Sequence, residues 1–362
     1  MQLKSTGMTR PASQRLHYYD MLKGIAIFMV VAGHILTMCI REIDRAAIFK
    51  FIGEIHMPLF FFISGVMSLK LTQGGDIMRP DLAKRALQLL VPMVVVSSIW
   101  IYYFPHSGLQ SPLDSTWSGL WHDQWKNGYW FTLCLFEIIA IYGALTGIMQ
   151  RCRVLWQEIA VTVIVWAVLG ILCYVVLPQD TVDILGLGLT MQFFPAFMAG
   201  AIARRHADGF NRLVASSGVV TASLLIGGAL LYFISWPWEF GNPHPIVVSA
   251  ARSLFHIALA ITAIAVVKPW SVEAYSQEHP DGRPWARMWS YLGTHSLEIY
   301  LLHYFFLFPM GWMRVTLAEM NLAFVPLLAV ASAGAAAVIA VTLGLNYIIS
   351  KSKILSLLLT GR

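Results

Sequence analysis

The chain has 362 residues, of which 57% are hydrophobic and 12% charged, with a formal net charge of +6. Soluble domains carry roughly 25% charged residues, so this composition excludes an ordinary soluble protein and predicts a membrane protein with several spans. The basic residues are scattered in short loops between apolar runs rather than gathered in a stripe, so we expect no nucleic-acid partner.

Windows of about 20 apolar residues predict an all-α polytopic membrane protein with ten transmembrane helices. In chain order the predicted spans cover residues 22–40, 51–69, 86–104, 129–149, 157–177, 188–203, 213–235, 247–267, 289–312 and 323–348. No small-x-small cleavage site follows the first apolar run, so we expect that span to stay uncleaved. We expect one integral-membrane domain over residues 1–362, with a short cytoplasmic tail over residues 1–20 and no appended soluble domain.

The distribution of lysine and arginine predicts the orientation of these spans. Cytoplasmic loops of membrane proteins are enriched in both residues. With a cytoplasmic N-terminus, the basic residues all fall on the cytoplasmic side except Arg41, Arg45, Lys50, Lys126, Arg252 and Arg314. The pattern therefore predicts that both termini are cytoplasmic.

The first predicted span carries a cation and an imidazole. In the stretch "KGIAIFMVVAGH", Lys23 and His34 are eleven residues apart. Eleven helical steps of about 100° return to nearly the same face, about 16 Å further along the axis. His34 lies near neither end of the span, and polar side chains in hydrocarbon are costly and usually functional.

Further polar residues lie in the predicted spans or at their ends, and each has a structural interpretation beside the functional one. A histidine or tryptophan near a span end is often interfacial, and an arginine there can snorkel to the surface. In the outer half we expect His56, Trp130, Arg252, His256, Glu298 and His303. Lys84 and Arg85 open the third span on the cytoplasmic side, where positive-inside anchoring is the alternative role.

An outer layer of imidazoles above an inner layer of cations favours group transfer. A neutral histidine is a suitable general base for a hydroxyl, or a nucleophile that carries an acyl group. Cations near the cytoplasm suit a phosphate-bearing donor. The four cysteines, Cys39, Cys134, Cys152 and Cys173, have no metal-type spacing, so we expect neither disulfides nor a metal site.

Four segments resemble the membrane-bound acyltransferase family 3, which is found in bacterial surface-polysaccharide O-acetylases. They are "YYDMLKGIAIFMVVAGH", "HMPLFFFISG", "YWF" and "SLEIYLLH". The resemblance covers nearly the whole chain and implies ten core helices, an acyl-CoA donor (usually acetyl-CoA), a hydroxyl acceptor commonly on a sugar, and a bacterial inner membrane. The basic residue and histidine of the first motif correspond to Lys23 and His34. The segment "AKRALQLLVP" keeps Lys84 and Arg85 but has Gln88 where another basic residue is expected.

The sequence thus predicts a membrane O-acyltransferase with His34 and Lys23 in the catalytic machinery. Arg85 and Lys84 are predicted to bind the acyl-CoA co-substrate, without any bound cofactor. The predicted acceptor pocket, for a glycan, a lipid-linked sugar or a small hydroxyl compound, contains His56, Arg252, Trp130, Glu298 and His303.

Two other functional classes fit the same composition. A transporter or exporter of a glycan or lipid-linked sugar can line its path with polar residues, and often shows a repeat between its halves. No such repeat is visible in the sequence. A non-catalytic membrane scaffold does not account for the lysine and histidine on one face of the first span.

Overall fold

The computed structural model describes residues 17–39, 47–107, 116–271, 283–307 and 324–362. The described residues form an α-helical bundle with one isolated antiparallel bridge, Leu71 to Ile77. The helices are α1 His17–Cys39, α2 Ala47–Ser68, α3 Leu82–Ser107, α4 Trp117–His122, α5 Trp130–Arg151, α6 Leu155–Ile171, α7 Gln179–Leu185, α8 Leu187–Arg205, α9 Ala207–Ala215, α10 Ser217–Ser235, α11 Pro245–Val267, α12 Pro284–Thr294, α13 Ser296–Leu302, α14 Phe324–Ile349 and α15 Lys353–Thr360.

The predicted class, a multi-pass all-α membrane protein, is confirmed for the described residues, whereas the number of spans is not. Seven described helices are long and apolar enough to cross a membrane, and α7 with α8 forms one further bent candidate. The seven are α1, α3, α5, α6 with its π-helical extension to Val176, α10, α11 and α14. They match seven of the ten predicted spans.

The second and sixth predicted spans are less regular than the sequence indicates. The described apolar part of α2, Ile52–Ser68, is short for a full span. The sixth predicted span, 188–203, corresponds to α8, which is too short or too polar to count alone and forms a candidate span only with α7. The two helices are bent by 54° at Gly186, whose φ of 68° lies in the left-handed region.

The ninth predicted span is interrupted between α12 and α13. The Thr294 hydroxyl donates to the carbonyl of Tyr291 over 2.8 Å, and His295 Nδ1 lies 3.0 Å from the same oxygen. Side chains that occupy a carbonyl in the last turn compete with the helical ladder. The helix therefore ends at Thr294 and restarts at Ser296, and the rest of this prediction, 308–312, lies outside the described residues.

Two reciprocal glycine contacts set the helix packing around the site. A Cβ on Gly24 of α1 would lie 2.0 Å from the carbonyl oxygen of Trp289 in α12, and one on Gly293 would lie 1.7 Å from that of Asp20. In the same way, a Cβ on Gly65 of α2 or on Gly200 of α8 would lie 1.9 Å from a backbone carbonyl oxygen of the opposite helix. Only glycine permits such close backbone approach between membrane helices, so α1 is fixed on α12 and α2 on α8.

One end of the bundle, here called the basic end, carries Lys268, Arg204, Arg205 and Arg362. Lys268 Nζ binds Asn211 at 2.9 Å and lies 5.8 Å from the centre of the Tyr18 ring. Arg205 donates to the carbonyls that end α5 and follow it. From this end α1 runs through a core of fully buried aromatic residues to the opposite end, where the candidate site lies.

Candidate active site

A cavity of about 590 Å³ lies at the end of the bundle opposite the basic end. Helices α1, α2, α5, α8 and α11 contribute to it, together with the loop before α5 and the 3₁₀ turn after α13. Its lining residues include the predicted His34, His56, Trp130 and Arg252, and also Glu54, Asp123, Trp125, Asn127, Gly128, Gln192 and Tyr304. Helices far apart in sequence therefore bring four of the predicted site residues to one cavity.

The proton positions on His34 follow from its hydrogen bonds. His303 Nδ1 lies 2.9 Å from the carbonyl of Ile299 and 2.8 Å from that of Tyr300. Carbonyl oxygens only accept, so Nδ1 of His303 carries a proton and its Nε2 is free to accept in the neutral ring. His34 Nδ1 lies 2.8 Å from that Nε2 and must be the donor. Neutral His34 therefore has an unprotonated Nε2.

The unprotonated nitrogen of His34 faces a tyrosine. The hydroxyl of Tyr304 lies 3.2 Å from His34 Nε2, where it donates to the lone pair. Tyr304 is buried, and both residues line the cavity. His34 thus offers a basic nitrogen to the cavity, which is the requirement for accepting a proton from a bound hydroxyl.

His56 presents a second imidazole to the cavity. Its Nδ1 donates to the carbonyl of Ile52 on the preceding turn of α2, which leaves Nε2 as the acceptor in the neutral ring. Pro58, two residues later, has no N–H, so the carbonyl of Glu54 loses its helical donor. Both Glu54 and Pro58 line the cavity, so this irregularity of α2 lies in the cavity wall.

Arg252 is held by an ion pair that the sequence analysis did not predict. Its Nε and Nη2 donate to the two carboxylate oxygens of Glu54 over 3.1 and 3.0 Å. This bidentate geometry is the strong form of an arginine–carboxylate contact. It joins α11 to α2 and neutralises the charge of Arg252 at the cavity wall. The position of Glu54 two residues before His56 was the available signal in the sequence.

The loop before α5 forms one wall of the cavity in an unusual backbone conformation. Lys126, Asn127 and Gly128 have positive φ values of 48°, 52° and 92° in succession. A Cβ on Gly128 would lie 2.4 Å from the hydroxyl of Tyr304. Because non-glycine residues in this region are strained, the loop must be held by contacts elsewhere.

Lys126 supplies those contacts. It is buried, and its Nζ donates to the carbonyls of Trp121 over 3.1 Å and Asp183 over 3.0 Å. Burial lowers the pKa of Lys126, while the negative charges of Asp123 and Glu137 act in the opposite direction. The loop also places Trp125 against Trp130, with ring centres 5.9 Å apart and the rings nearly perpendicular.

Two residues predicted for the acceptor pocket, His303 and Glu298, lie outside the cavity lining. His303 is fully buried behind His34 and contacts its ring rather than the cavity. Glu298 precedes it by five residues, about 7 Å further from the cavity. Its buried carboxylate pairs with Arg362 at 2.5 Å. The placement of these two side chains therefore favours support of His34 and of the basic end over contact with an acceptor.

The predicted donor-side residues lie at or near the basic end. Lys23 pairs with the buried Asp20 at 2.9 Å, on the same helix as His34 but eleven residues closer to the basic end. Lys84 is exposed in the first turn of α3, and Arg85 donates to the side chain of Gln88 over 3.3 Å. None of the three lines the cavity.

Arg362 adds a cation at this end that the sequence analysis missed. A Cβ on Gly361 would lie 2.2 Å from the carbonyl oxygen of Gln88, so the segment after α15 packs directly on the start of α3. Arg362 then reaches Glu298 and donates to the carbonyl of Thr294. The close contact with Gln88 is thus made by Gly361, and the guanidinium of the next residue points to α13 and the end of α12.

Comparison with known proteins identifies the family of the chain. A family model described as an acyltransferase domain, of acyltransferase family 3, matches residues 16–346. The chain belongs to this acyltransferase family. The resemblance carried by the motifs of α1, α2, α5 and α13 is thereby confirmed.

Two relatives match the chain over a smaller region. Nodulation protein NolL of Sinorhizobium fredii is 40% identical over 91 residues, which cover 23% of this chain and 24% of that protein. Nodulation protein NolL of Mesorhizobium japonicum is 39% identical over 84 residues, 21% of each chain. The chain thus spans about a quarter of the length of these curated relatives. No solved structure matches it.

Proposed function

We propose that this protein is a membrane O-acyltransferase that moves an acyl group, acetyl in the first instance, from acyl-CoA to a hydroxyl of a sugar or glycan. The observation that carries the proposal is the unprotonated Nε2 of His34, which lines a cavity in a chain that belongs to an acyltransferase family. The proposed setting is the inner membrane of a bacterium, with the basic end in the cytoplasm and the cavity at the outer side.

The donor is proposed to enter from the basic end. Acyl-CoA carries phosphates, and guanidinium groups bind phosphates through charge-assisted hydrogen bonds. Arg85, Lys84 and Arg362 are the proposed phosphate ligands. Lys23 lies between this end and His34 on one helix, which spans about 16 Å between the two side chains. In this proposal the thioester arm follows α1 and brings its carbonyl carbon to His34.

The proposed chemical step needs only groups of the chain and the two substrates. The acceptor hydroxyl displaces the Tyr304 hydroxyl from His34 Nε2 and gives its proton to that nitrogen while its oxygen attacks the thioester carbonyl carbon. The carbon–sulfur bond breaks, and the leaving thiolate takes the proton from His34, so that an ester and free CoA result. If His34 instead carries the acyl group first, its Nε2 attacks the thioester carbonyl carbon and CoA leaves as the thiolate. The acceptor hydroxyl then attacks the acyl-imidazole, the carbon–nitrogen bond breaks, and the hydroxyl proton passes to the thiolate.

His303 is proposed to position the base. It accepts the proton of His34 Nδ1, which fixes the ring and keeps the lone pair on Nε2, and its own Nδ1 is fixed by two carbonyls. A positioned base contributes about 10²–10⁴-fold to a rate. The cavity supplies Trp130, His56 and the neutralised Arg252 for an uncharged acceptor rich in hydroxyls.

The test is transfer from radiolabelled acetyl-CoA by the purified protein in lipid nanodiscs. The His34→Ala variant is expected to lose at least about 10² of the transfer rate, because the proton acceptor is gone. His122→Ala is the control, because His122 is exposed and does not line the cavity. Near-normal transfer by the His34→Ala variant contradicts the mechanism. Wild-type protein that neither transfers nor hydrolyses the donor favours a transporter instead.

A further inference from the structure

A second cavity of about 310 Å³ lies next to the first at the same end of the bundle. The side chains of Gln192 and Arg252 line both cavities and form the partition between them. The other lining residues include Tyr174 in the π-helical extension of α6, Ser249 of α11 and Asn242 in the turn before α11. An acceptor in the first cavity therefore has an adjoining space on the far side of Gln192.

The second cavity presents hydrogen-bonding groups that the protein leaves unused. Within the described part of the chain, the side-chain amides of Gln192 and Asn242 have no hydrogen-bond partner. Each amide offers two donors and one acceptor oxygen. Arg252 is already paired with Glu54, so the cavity presents no free charge from that side chain. This combination fits a neutral ligand that both donates and accepts.

The turn that carries Asn242 is constrained by its backbone geometry and by two prolines. Gly241 and Asn242 both have positive φ, at 74° and 53°, and the Asn242 N–H donates to the carbonyl of Pro237 over 3.2 Å. Pro243 and Pro245 follow, and their rings fix φ at both positions. The backbone position of Asn242 in the cavity wall is therefore preformed, as in most small-molecule sites.

We propose that this cavity is an accessory acceptor subsite, which binds the sugar ring next to the one that is acylated. Its volume is at the lower end of the about 300–1,000 Å³ typical of ligand sites, which suits one ring. Amides that donate and accept match ring hydroxyls, and the face of Tyr174 offers an apolar surface for the ring C–H groups. The inference rests on the proposed function and narrows the acceptor class to an oligosaccharide.

The experiment compares acceptors of increasing length with the purified protein in nanodiscs and radiolabelled acetyl-CoA. The probes are a monosaccharide and the di- and trisaccharides of the same sugar. We expect kcat/KM to rise about tenfold from one ring to two, since remote binding energy is used in the transition state, and to change little for the third ring.

Two variants connect that gain to the second cavity. Asn242→Gly removes the amide and accepts the positive φ, and Tyr174→Leu removes the aromatic face. Each is expected to reduce the disaccharide-to-monosaccharide ratio of kcat/KM from about ten toward one. The control is Val247→Ala, because Val247 is exposed on α11 and lines neither cavity.

The outcomes separate this inference from the proposed function. The second subsite is overturned if sugars are acylated but kcat/KM of the wild type is about the same for the disaccharide and the monosaccharide. It is also overturned if both variants keep the wild-type ratio of these two values. In either case the acyltransferase proposal stands. Hydrolysis of acetyl-CoA without transfer to any of the sugars overturns the glycan acceptor and the subsite together.

Discussion

The position of one proton on His34 determines whether the cavity contains a base. Two backbone carbonyls, of Ile299 and Tyr300, fix the proton of His303, and His303 in turn fixes that of His34. A side chain without an acceptor at position 303 would let His34 place its proton on Nε2, where it cannot accept one from a substrate. The backbone of α13 thus sets the proton position through two imidazoles.

This arrangement predicts different effects for two substitutions of His303. His303→Leu removes the acceptor, and kcat should fall by about 10²-fold or more, while KM for the acyl donor stays nearly constant. His303→Gln keeps an oxygen that can accept from His34 Nδ1, so a larger part of kcat should remain. Steady-state kinetics of both purified variants check this, and equal losses would indicate that His303 only fills space.

The sequence predicts single residues well where the argument is local. Lys23 and His34 share a face because helical periodicity is a property of one segment, and both lie on the continuous helix α1. Contacts between distant segments carry no such local signal. The pairs Glu54–Arg252 and His34–Tyr304 join residues 198 and 270 positions apart. These depend on helix packing, which periodicity alone does not determine.

Among the elements, the loop from Lys126 to Gly128 forms a wall of the cavity that the sequence does not predict. Its three left-handed residues turn the chain so that Gly128 contacts Tyr304, the residue that donates to His34. The hydropathy pattern of the sequence predicts that this loop lies at the membrane surface but does not predict its conformation. The same holds for α12 and α13, where the side chains of Thr294 and His295 end a helix that hydropathy alone predicts as continuous.

Gly128→Ala tests the role of the loop. The added Cβ would lie 2.4 Å from the Tyr304 hydroxyl, and alanine at φ 92° is strained by about 1–3 kcal/mol. Transfer activity should fall strongly and the melting temperature should decrease, while helix content by circular dichroism stays unchanged.

A matched substitution controls for the change from glycine to alanine. Gly147 lies in α5, and its added Cβ would meet nothing within 4 Å. Gly147→Ala should therefore leave activity intact and stabilise the helix by about 0.5–1 kcal/mol. Full activity of Gly128→Ala would show that Tyr304 need not keep its position.

At the scale of the whole molecule, the proposed reaction separates its two substrates between opposite ends of the bundle. The cations Lys84, Arg85 and Arg362 lie at the basic end, and the polar cavity lies at the other. Helix α1 connects them with Lys23 and His34. The sequence predicts this division from the positions of charges along the spans, but not the contribution of Arg362, which comes from the packing of α15 on α3.

Arg362→Gln tests the donor end. Loss of the guanidinium should raise KM for acetyl-CoA by about five- to tenfold with little change in kcat, because one charge-assisted contact to phosphate is removed. An acetyl thioester that lacks the nucleotide phosphates should show no such change. Lys353→Gln is the control, since Lys353 is exposed on α15, the helix that precedes Arg362. An equal rise in KM for both donors would assign Arg362 a structural role through Glu298.

The close contact of Gly24 with α12 determines the tilt of helix α1, and the tilt determines where His34 lies. Gly24 is the point where the two backbones touch, and His34 lies ten residues away, about 15 Å along the axis. At that length a tilt of about 4° moves the imidazole by about 1 Å, and a displacement of that size can cost about 10² in rate. The position of the His34 imidazole thus depends on the close packing of Gly24 against α12 and of Gly293 against α1, about three helical turns away.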